Sequence, residues 1–273
     1  MLKILKYPRT PHIQGSRIQP GDEDLEQIPF RTLAGQQLVV EEKCDGANSA
    51  VSFDTDGTLL LQSRGHYLTG GPRERHYDLL KKWASVHRVR FHEVLGSRYI
   101  LYGEWMYAKH SIYYDALSHY FLEFDVFDRE RRVFLDTGAR RALLATLPVV
   151  PVPVIARRAF ATLDELKSLV GPSAFIRPGH IERLRDWCLA NGSRCDADAR
   201  CAETDPATTM EGLYLKVETG GKVVSRMKFV RPSFLQAVAV PDAHWLNRPI
   251  IPNALRYPAD GIYEAVLPRE AST

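Results

Sequence analysis

Lys43 is the residue best placed for covalent chemistry, set between an acidic approach and a turn of small residues in Glu42-Lys43-Cys44-Asp45-Gly46-Ala47-Asn48. The run before it, Gln37-Leu38-Val39-Val40-Glu41-Glu42, has the make-up of a strand, and Asp45-Gly46 is the turn signal that ends it, so the amine is delivered at a strand end. A lysine ammonium attacks nothing until it loses its proton, and loss at neutral pH takes desolvation or a neighbouring positive charge such as a metal ion. Residue usage alone produces a Lys-x-Asp-Gly tetrapeptide in roughly a few per cent of chains this long, and a lysine beside a turn is ordinarily solvated. The nucleophile reading therefore depends on what else the chain brings to Lys43.

Carboxylates and cations elsewhere are candidates to join it. Residues 99–106 and 120–128 read as strands, each with a carboxylate among apolar neighbours, Glu104 and Asp125. An ionised carboxylate is costly to bury without a partner, so each implies a metal, a ribose hydroxyl or an internal ion pair. In residues 222–230, strand alternation puts Arg226 and Lys228 on one face and Met227 and Phe229 on the other. Two adjacent cations backed by apolar packing need an anion, unless that face is merely solvated. Arg64 lies at a strand end and either faces the same site or ends its strand in water. Arg9, His12 and Arg17, in a segment of turn formers, leave the same choice open between phosphate binding and a solvated loop. Cys188, Cys195 and Cys201 with His180 nearby lack the Cys-x-x-Cys knuckle that structural zinc prefers, and with Cys44 they are too few for a disulfide framework, so reduced thiols are expected.

The elements that must hold these groups follow from the local pattern. Residues 49–53 and 58–64, joined by Asp54-Thr55-Asp56-Gly57, form a hairpin by every local signal, and residues 210–217 and 222–230 form a second about Gly220-Gly221. Tyr77, Leu79, Leu80, Trp83, Val86 and Val89 recur at helical spacing, and residues 137–205 read mostly as helix, with a capping box at Thr162-Leu163-Asp164-Glu165. The composition, 45% hydrophobic and 25% charged over 273 residues, is that of a globular chain with a sizeable core. A formal net charge of +3 gives no global polycation, so an anionic partner must be met locally. With no long apolar run and no signal-peptide core near Met1, a soluble cytoplasmic protein is expected.

Lys43-Cys44-Asp45-Gly46, Ser63-Arg64, Gly103-Glu104, Phe124-Asp125-Val126, Glu211-Gly212-Leu213-Tyr214-Leu215-Lys216 and Arg226-Met227-Lys228 fall in the order and approximate spacing of the motifs of the covalent nucleotidyltransferases. With Glu42 before the lysine and Asn48 five positions after it, the chain most resembles the ATP-dependent RNA ligases, in the branch typified by the second RNA ligase of a T-even phage. The resemblance implies an α+β fold, an ATP-grasp-like adenylation (nucleotidyltransferase) domain of antiparallel sheets flanked by helices. It implies that Lys43 attacks the α-phosphorus of ATP to form a lysyl-adenylate, that AMP passes to an RNA 5′-phosphate, and that a 3′-hydroxyl then displaces AMP. By the same resemblance Arg226 and Lys228 hold the α-phosphate, Lys216 adds positive charge there, and Glu211 helps to hold Mg2+ or Mn2+. Glu42 belongs to the nucleotide site, Asn48 helps at the phosphate end, Arg64 and Glu104 contact the ribose and its surroundings, and Phe124 stacks on adenine.

Two features depart from the family pattern. Arg226 stands where lysine is usual, and a planar guanidinium is not a point ammonium. After Val230 too few residues follow for a five-stranded oligonucleotide-binding barrel, which argues against a DNA ligase or a capping guanylyltransferase, the alternatives within the superfamily. A non-catalytic nucleic-acid-binding protein on a ligase scaffold is the alternative outside it, but Lys43, Glu104, Glu211 and Lys228 are all in place. The expected organisation is an adenylyltransferase domain over residues 1–235 and a short tail over 236–273. The expected partners are RNA ends carrying a 5′-phosphate and a 3′-hydroxyl, with an end-healing kinase or phosphatase to prepare them.

Overall fold

A computed structural model describes residues 2–19, 21–192, 195–235, 249–258 and 262–263. Its centre is the strand that ends in the candidate nucleophile, β3 (Leu38–Lys43). The hairpin of β11 (Gly212–Thr219) and β12 (Lys222–Val230) lies beside it, with β3 antiparallel to β11 so that Lys43 faces Gly212. Gly220 and Gly221 close that hairpin at φ of 59° and 75°, a left-handed turn that suits glycine. On the far side of β12 the sheet passes through the short β8 (Val133–Leu135) to β7 (Phe121–Asp128), β6 (Tyr99–Trp105), β4 (Ala47–Phe53) and β5 (Leu59–Ser63), all antiparallel. The turn Cys44–Gly46 thus carries the chain from one half of a single 12-stranded sheet to the other. The α+β class with antiparallel strands is as expected from the sequence.

Strand alternation decides what each face does. Leu213, Leu215, Met227 and Phe229 turn one way and pack with Leu38, Val40, Phe160 and Leu166 in one core. Glu41, Lys43, Tyr214, Lys216, Arg226 and Lys228 turn the other way, toward β6 and β7. The larger core lies under the second half of the sheet, where Trp83 and Phe91 join Phe53, Leu101, Phe121 and Val126. The helices over it are α1 (Asp78–Val86), α2 (Arg88–Leu95) and α3 (Thr137–Leu144), the last capped by the Asp136 carboxylate, which accepts from Ala139 N at 2.8 Å.

The sequence reading is corrected in several places. The helix expected across Tyr77 to Val89 is broken at His87, and the break turns Val86 and Val89 out to solvent, 63% and 69% exposed, while Phe91 and Leu95 take the core positions. Residues 137–205 are not mostly helical. They hold β9 (Val150–Pro151) and β10 (Val154–Arg158), and β10 is the edge strand against β3. Prolines at 148, 151 and 153 hide it, since they are tolerated at an edge. The helices α4 (Leu163–Lys167), α5 (His180–Ala190) and α6 (Ala197–Ala202) complete that region. The N-terminal segment is a strap along the sheet rather than a solvated loop, with β1 (His12–Ile13) parallel both to β12 and to β2 (Gln27–Ile28). Of the expected tail, residues 236–248, 259–261 and 264–273 lie outside the described residues. Residues 249–258 pack onto the domain, Pro252 bridging to Ala108 and Leu255 to Leu117. Among the described residues no helix is long and apolar enough to cross a membrane.

Candidate active site

A cavity of about 670 Å³ opens between the two halves of the sheet, and Lys43 is among the residues that line it. The Lys43 Nζ donates to both carboxylate oxygens of Glu211, at 2.7 and 2.6 Å, and Glu211 is fully buried. Burial alone would favour the free amine. The Glu211 carboxylate outweighs it and holds Lys43 above the ordinary lysine pKa, so at rest this is an ammonium. Gly46 is glycine for a steric reason, because a Cβ there would meet Met106 Sδ at 2.7 Å and the Trp105 carbonyl oxygen at 2.8 Å. Gly212 is more constrained still, since its Cβ would fall 1.8 Å from the Phe229 carbonyl oxygen. The close approach of β11 to β12 sets Glu211 beside Lys43 and therefore tolerates no side chain at that position.

Lys228 lines the same cavity, where it contacts Asp22, and burial pulls its pKa below the ordinary value against the pull of that carboxylate. Arg226 and Lys216, expected beside it, do not line the cavity. The Arg226 guanidinium lies over the Phe134 ring at 3.8 Å and 3.6 Å from Asp125. Lys216 is fully buried, 2.8 Å from Glu41 and 3.0 Å from Asp125. Arg140 of α3 closes this network against Glu41 at 2.8 Å and Glu123 at 3.2 Å. Asp125 therefore answers the choice left by the sequence with an internal ion pair. The charges of Lys216 and Arg226 are spent beneath the cavity, where they fix β3, β7, β11 and β12 against one another.

Glu104 has the opposite fate. It lines the cavity, accepts from Gly46 N at 3.1 Å, and has no ion pair among the described residues. Burial, reinforced by Asp45 and Glu211 against the pull of Lys43, raises its pKa to about 8. Asn48 also lines the cavity, and its buried Oδ1 has no hydrogen-bond partner among the described residues, an orphan of the kind a ligand satisfies. Phe124 and Tyr214 both line the cavity and lie against each other with ring centroids 6.4 Å apart. Arg64 is exposed at the mouth. Glu42 reaches the lining, but its carboxylate is buried and accepts from Ser173 Oγ at 2.5 Å and Ala174 N at 3.2 Å.

Sequence reasoning missed the strap. Gln19 Nε2 donates to Glu211 at 2.8 Å, Asp22 meets Lys228, and Tyr7 and Thr10 reach the Tyr214 hydroxyl. His12 is buried between Ser16 and Asp22, Arg9 pairs with Asp22 and Asp24, and Arg17 donates to the Pro232 carbonyl, so these cations are engaged by the protein itself. The spacing of Arg9, Asp22 and Asp24 holds no signal of this, because the pairing is made by a fold between residues distant from β12 in sequence. Glu41, Arg73 and His76 are further lining residues that no motif pointed to, and Tyr214, inside the Glu211–Lys216 motif, was given no role of its own. Cys188 and Cys195 are free thiols with sulfurs 2.7 Å apart, and among the described residues no group of three or more His, Cys, Asp and Glu is arranged to hold a metal.

A mutant of Naegleria gruberi RNA ligase with ATP and Mn is similar to this chain at a TM-score of 0.51 and 18% identity, over 85% of this chain and 57% of that one. Another mutant of the same ligase, with AMP and Mn, gives 0.50 and 17% over 85% and 57%. At these identities the likeness speaks to the fold, and the chain spans little more than half the length of these structures. Comparison with curated proteins returned no match. The family model described as RNA ligase matches residues 36–230, a stretch that holds Lys43, Glu104, Glu211 and Lys228 and both halves of the sheet around the cavity, and the chain belongs to the RNA ligase family.

Proposed function

We propose that this chain is an ATP-dependent RNA ligase that joins 5′-phosphate and 3′-hydroxyl RNA ends through lysyl-AMP and RNA-adenylate. The observation that carries the reading is the convergence of Lys43, Asn48, Glu104, Phe124 and Lys228, from five separate strands or strand ends, on one cavity, with Glu211 bonded to the lysine. In the first step the Lys43 Nζ bonds to the α-phosphorus of ATP as pyrophosphate leaves, and the ammonium proton is given up. In the second an oxygen of the RNA 5′-phosphate bonds to the same phosphorus and Lys43 is released. In the third the 3′-hydroxyl attacks the RNA phosphorus and AMP departs. Lys228 meets the α-phosphate charge, the Phe124 ring stacks on the base, and Glu104 and Asn48 offer hydrogen-bonding groups to the ribose and phosphate end. Catalysis of this kind is mostly positioning and charge neutralisation. Glu211 would hold a divalent ion, Mg2+ or Mn2+, which supplies charge neutralisation at the phosphate oxygens. The donors it would use are the Glu211 carboxylate, bonded to Lys43, and the Asp45 carboxylate, which acts electrostatically on Glu211. Ends of this chemistry are made by a polynucleotide kinase or a 3′-phosphatase, the partner class that fits.

The test is incubation with labelled ATP or GTP and a divalent metal, followed by denaturing electrophoresis and by sealing of matched RNA and DNA nicks. An acid-labile adduct is expected with ATP and not GTP, absent in Lys43→Ala while its fold persists, together with sealing that requires a ribose 3′ end. A full-strength adduct in that variant, or preference for a deoxyribose 3′ end, would overturn the reading.

A further inference from the structure

Lys43 and Lys228 are joined through the N-terminal strap by one chain of alternating donors and acceptors. The Lys43 Nζ donates to Glu211, and the same Glu211 Oε1 accepts from Gln19 Nε2 at 2.8 Å. The other end of that amide, Gln19 Oε1, lies 3.5 Å from Lys228 Nζ, and Lys228 also contacts Asp22. An amide suits both neighbours, because it donates at one end and accepts at the other. Asp22 is in turn fixed by Arg9 Nη2 at 3.1 Å and His12 Nε2 at 3.3 Å, and Ser16 Oγ bonds His12 Nδ1 at 2.7 Å. The strap is stitched to the very strand that carries Lys228. Lys228 N donates to the Pro11 carbonyl at 3.0 Å, Val230 N to Ser16 Oγ at 2.9 Å and Arg17 N to the Val230 carbonyl at 3.0 Å.

A lysine ammonium is a point charge on a flexible four-carbon stem, and phosphoryl chemistry depends on where such a charge stands. The ammonium has three N–H donors. In Lys228 one goes to Asp22 and one faces Gln19, which leaves the third for an anion in the cavity. Asp22 keeps Arg9 and His12 as partners whichever way Lys228 turns, so it is a fixed mount and not a rival for the phosphate. We propose that Gln19 and Asp22 are positioning residues for nucleotidyl transfer: Asp22 holds the Lys228 ammonium where it meets the α-phosphate, and the Gln19 amide sets Glu211, and through it Lys43, at a fixed span from Lys228. Both act through these partners and not on the nucleotide. This rests on the ligase reading of the cavity.

The test is single-turnover adduct formation with labelled ATP and a divalent metal by the parent protein, by its Gln19→Ala, Asp22→Asn and Lys228→Ala variants, and by the double variant of Asp22→Asn with Lys228→Ala. ATP affinity and the urea midpoint are measured alongside. Gln19→Ala and Asp22→Asn are each expected to slow the adduct about tenfold to a hundredfold at saturating ATP while ATP affinity changes less than about threefold. Asp22→Asn should slow nothing further once Lys228 is alanine, because the two act as one unit. A full rate in either single variant would overturn the role of that residue. Tighter ATP binding by Asp22→Asn with an undiminished rate would mark Asp22 as a rival anion and overturn its role too. Additive losses in the double variant, or losses that merely follow a fall in the urea midpoint, would reduce the strap to a structural brace. A parent protein that forms no adduct would sink the ligase reading and this proposal with it, whereas adduct formation by the parent and equally by the variants would sink the proposal alone.

Discussion

Lys43 and Glu104 show how two half-buried side chains of one cavity are set to opposite rest states. Glu211 keeps the lysine charged, whereas burial keeps Glu104 largely neutral with a pKa of about 8. A carboxyl whose folded pKa lies above its unfolded value binds its proton more tightly in the native state, so stability is greatest below the unfolded pKa and falls as pH rises toward 8. Each pH unit in that window is worth up to about 1.4 kcal/mol. Glu104→Gln removes the titration while keeping the shape. Relative to the parent it should gain about 2 kcal/mol or more between pH 5 and pH 8, measured from urea midpoints at the two pH values. An equal difference at both would show that Glu104 is already ionised at pH 5.

The β-strands place Lys43, but the single helix α3 locks the halves of the sheet together through Arg140. That guanidinium is fully buried against Glu41 of β3 and Glu123 of β7. Removing one member of a buried ionic network strands its partners, so Arg140→Met should cost about 3 to 5 kcal/mol in chemical unfolding. A loss under about 1 kcal/mol would mean that Lys216 alone balances the carboxylates. Most of the strands were legible in the sequence, because alternation of the kind seen in Leu213, Leu215, Met227 and Phe229 is local. Lys43, Asn48, Glu104, Phe124 and Lys228, picked out by motif, line one cavity, and Glu211 is bonded to the lysine. The resemblance assigned Arg226 and Lys216 to the phosphates, and alternation shows which face a side chain takes but not that Asp125 and Glu41 from other strands lie beside them. The strap and β10 were missed for a related reason: proline-rich and turn-rich segments have no period of their own, and their pairing is decided by the sheet edge they meet.

At the scale of the molecule the described residues 249–258 act as part of the domain. Asn253 is 1% exposed; its side chain donates to the Met106 carbonyl at 2.7 Å and accepts from Tyr114 N at 2.9 Å, beside the segment that holds Asp45 through Ser111 N. Asn253→Ala leaves both backbone groups unpaired and should cost about 2 to 4 kcal/mol, read from thermal or urea unfolding. A loss within about 0.5 kcal/mol would show that water replaces it. The order of the strands has a further consequence. The neighbours of Lys43 on β3 come from residues 154–158 on one side and 212–217 on the other, and Lys228 is brought to the strap by β1. A ribosome adds about 5 to 20 residues per second. During the interval between the emergence of β3 and that of β11, the lysine has neither its acidic partner nor a cavity around it. A nascent chain therefore carries an unassembled site until nearly the whole sheet has been synthesised, and a truncated translation product that ends before β11 presents an unpaired strand instead of a closed cavity.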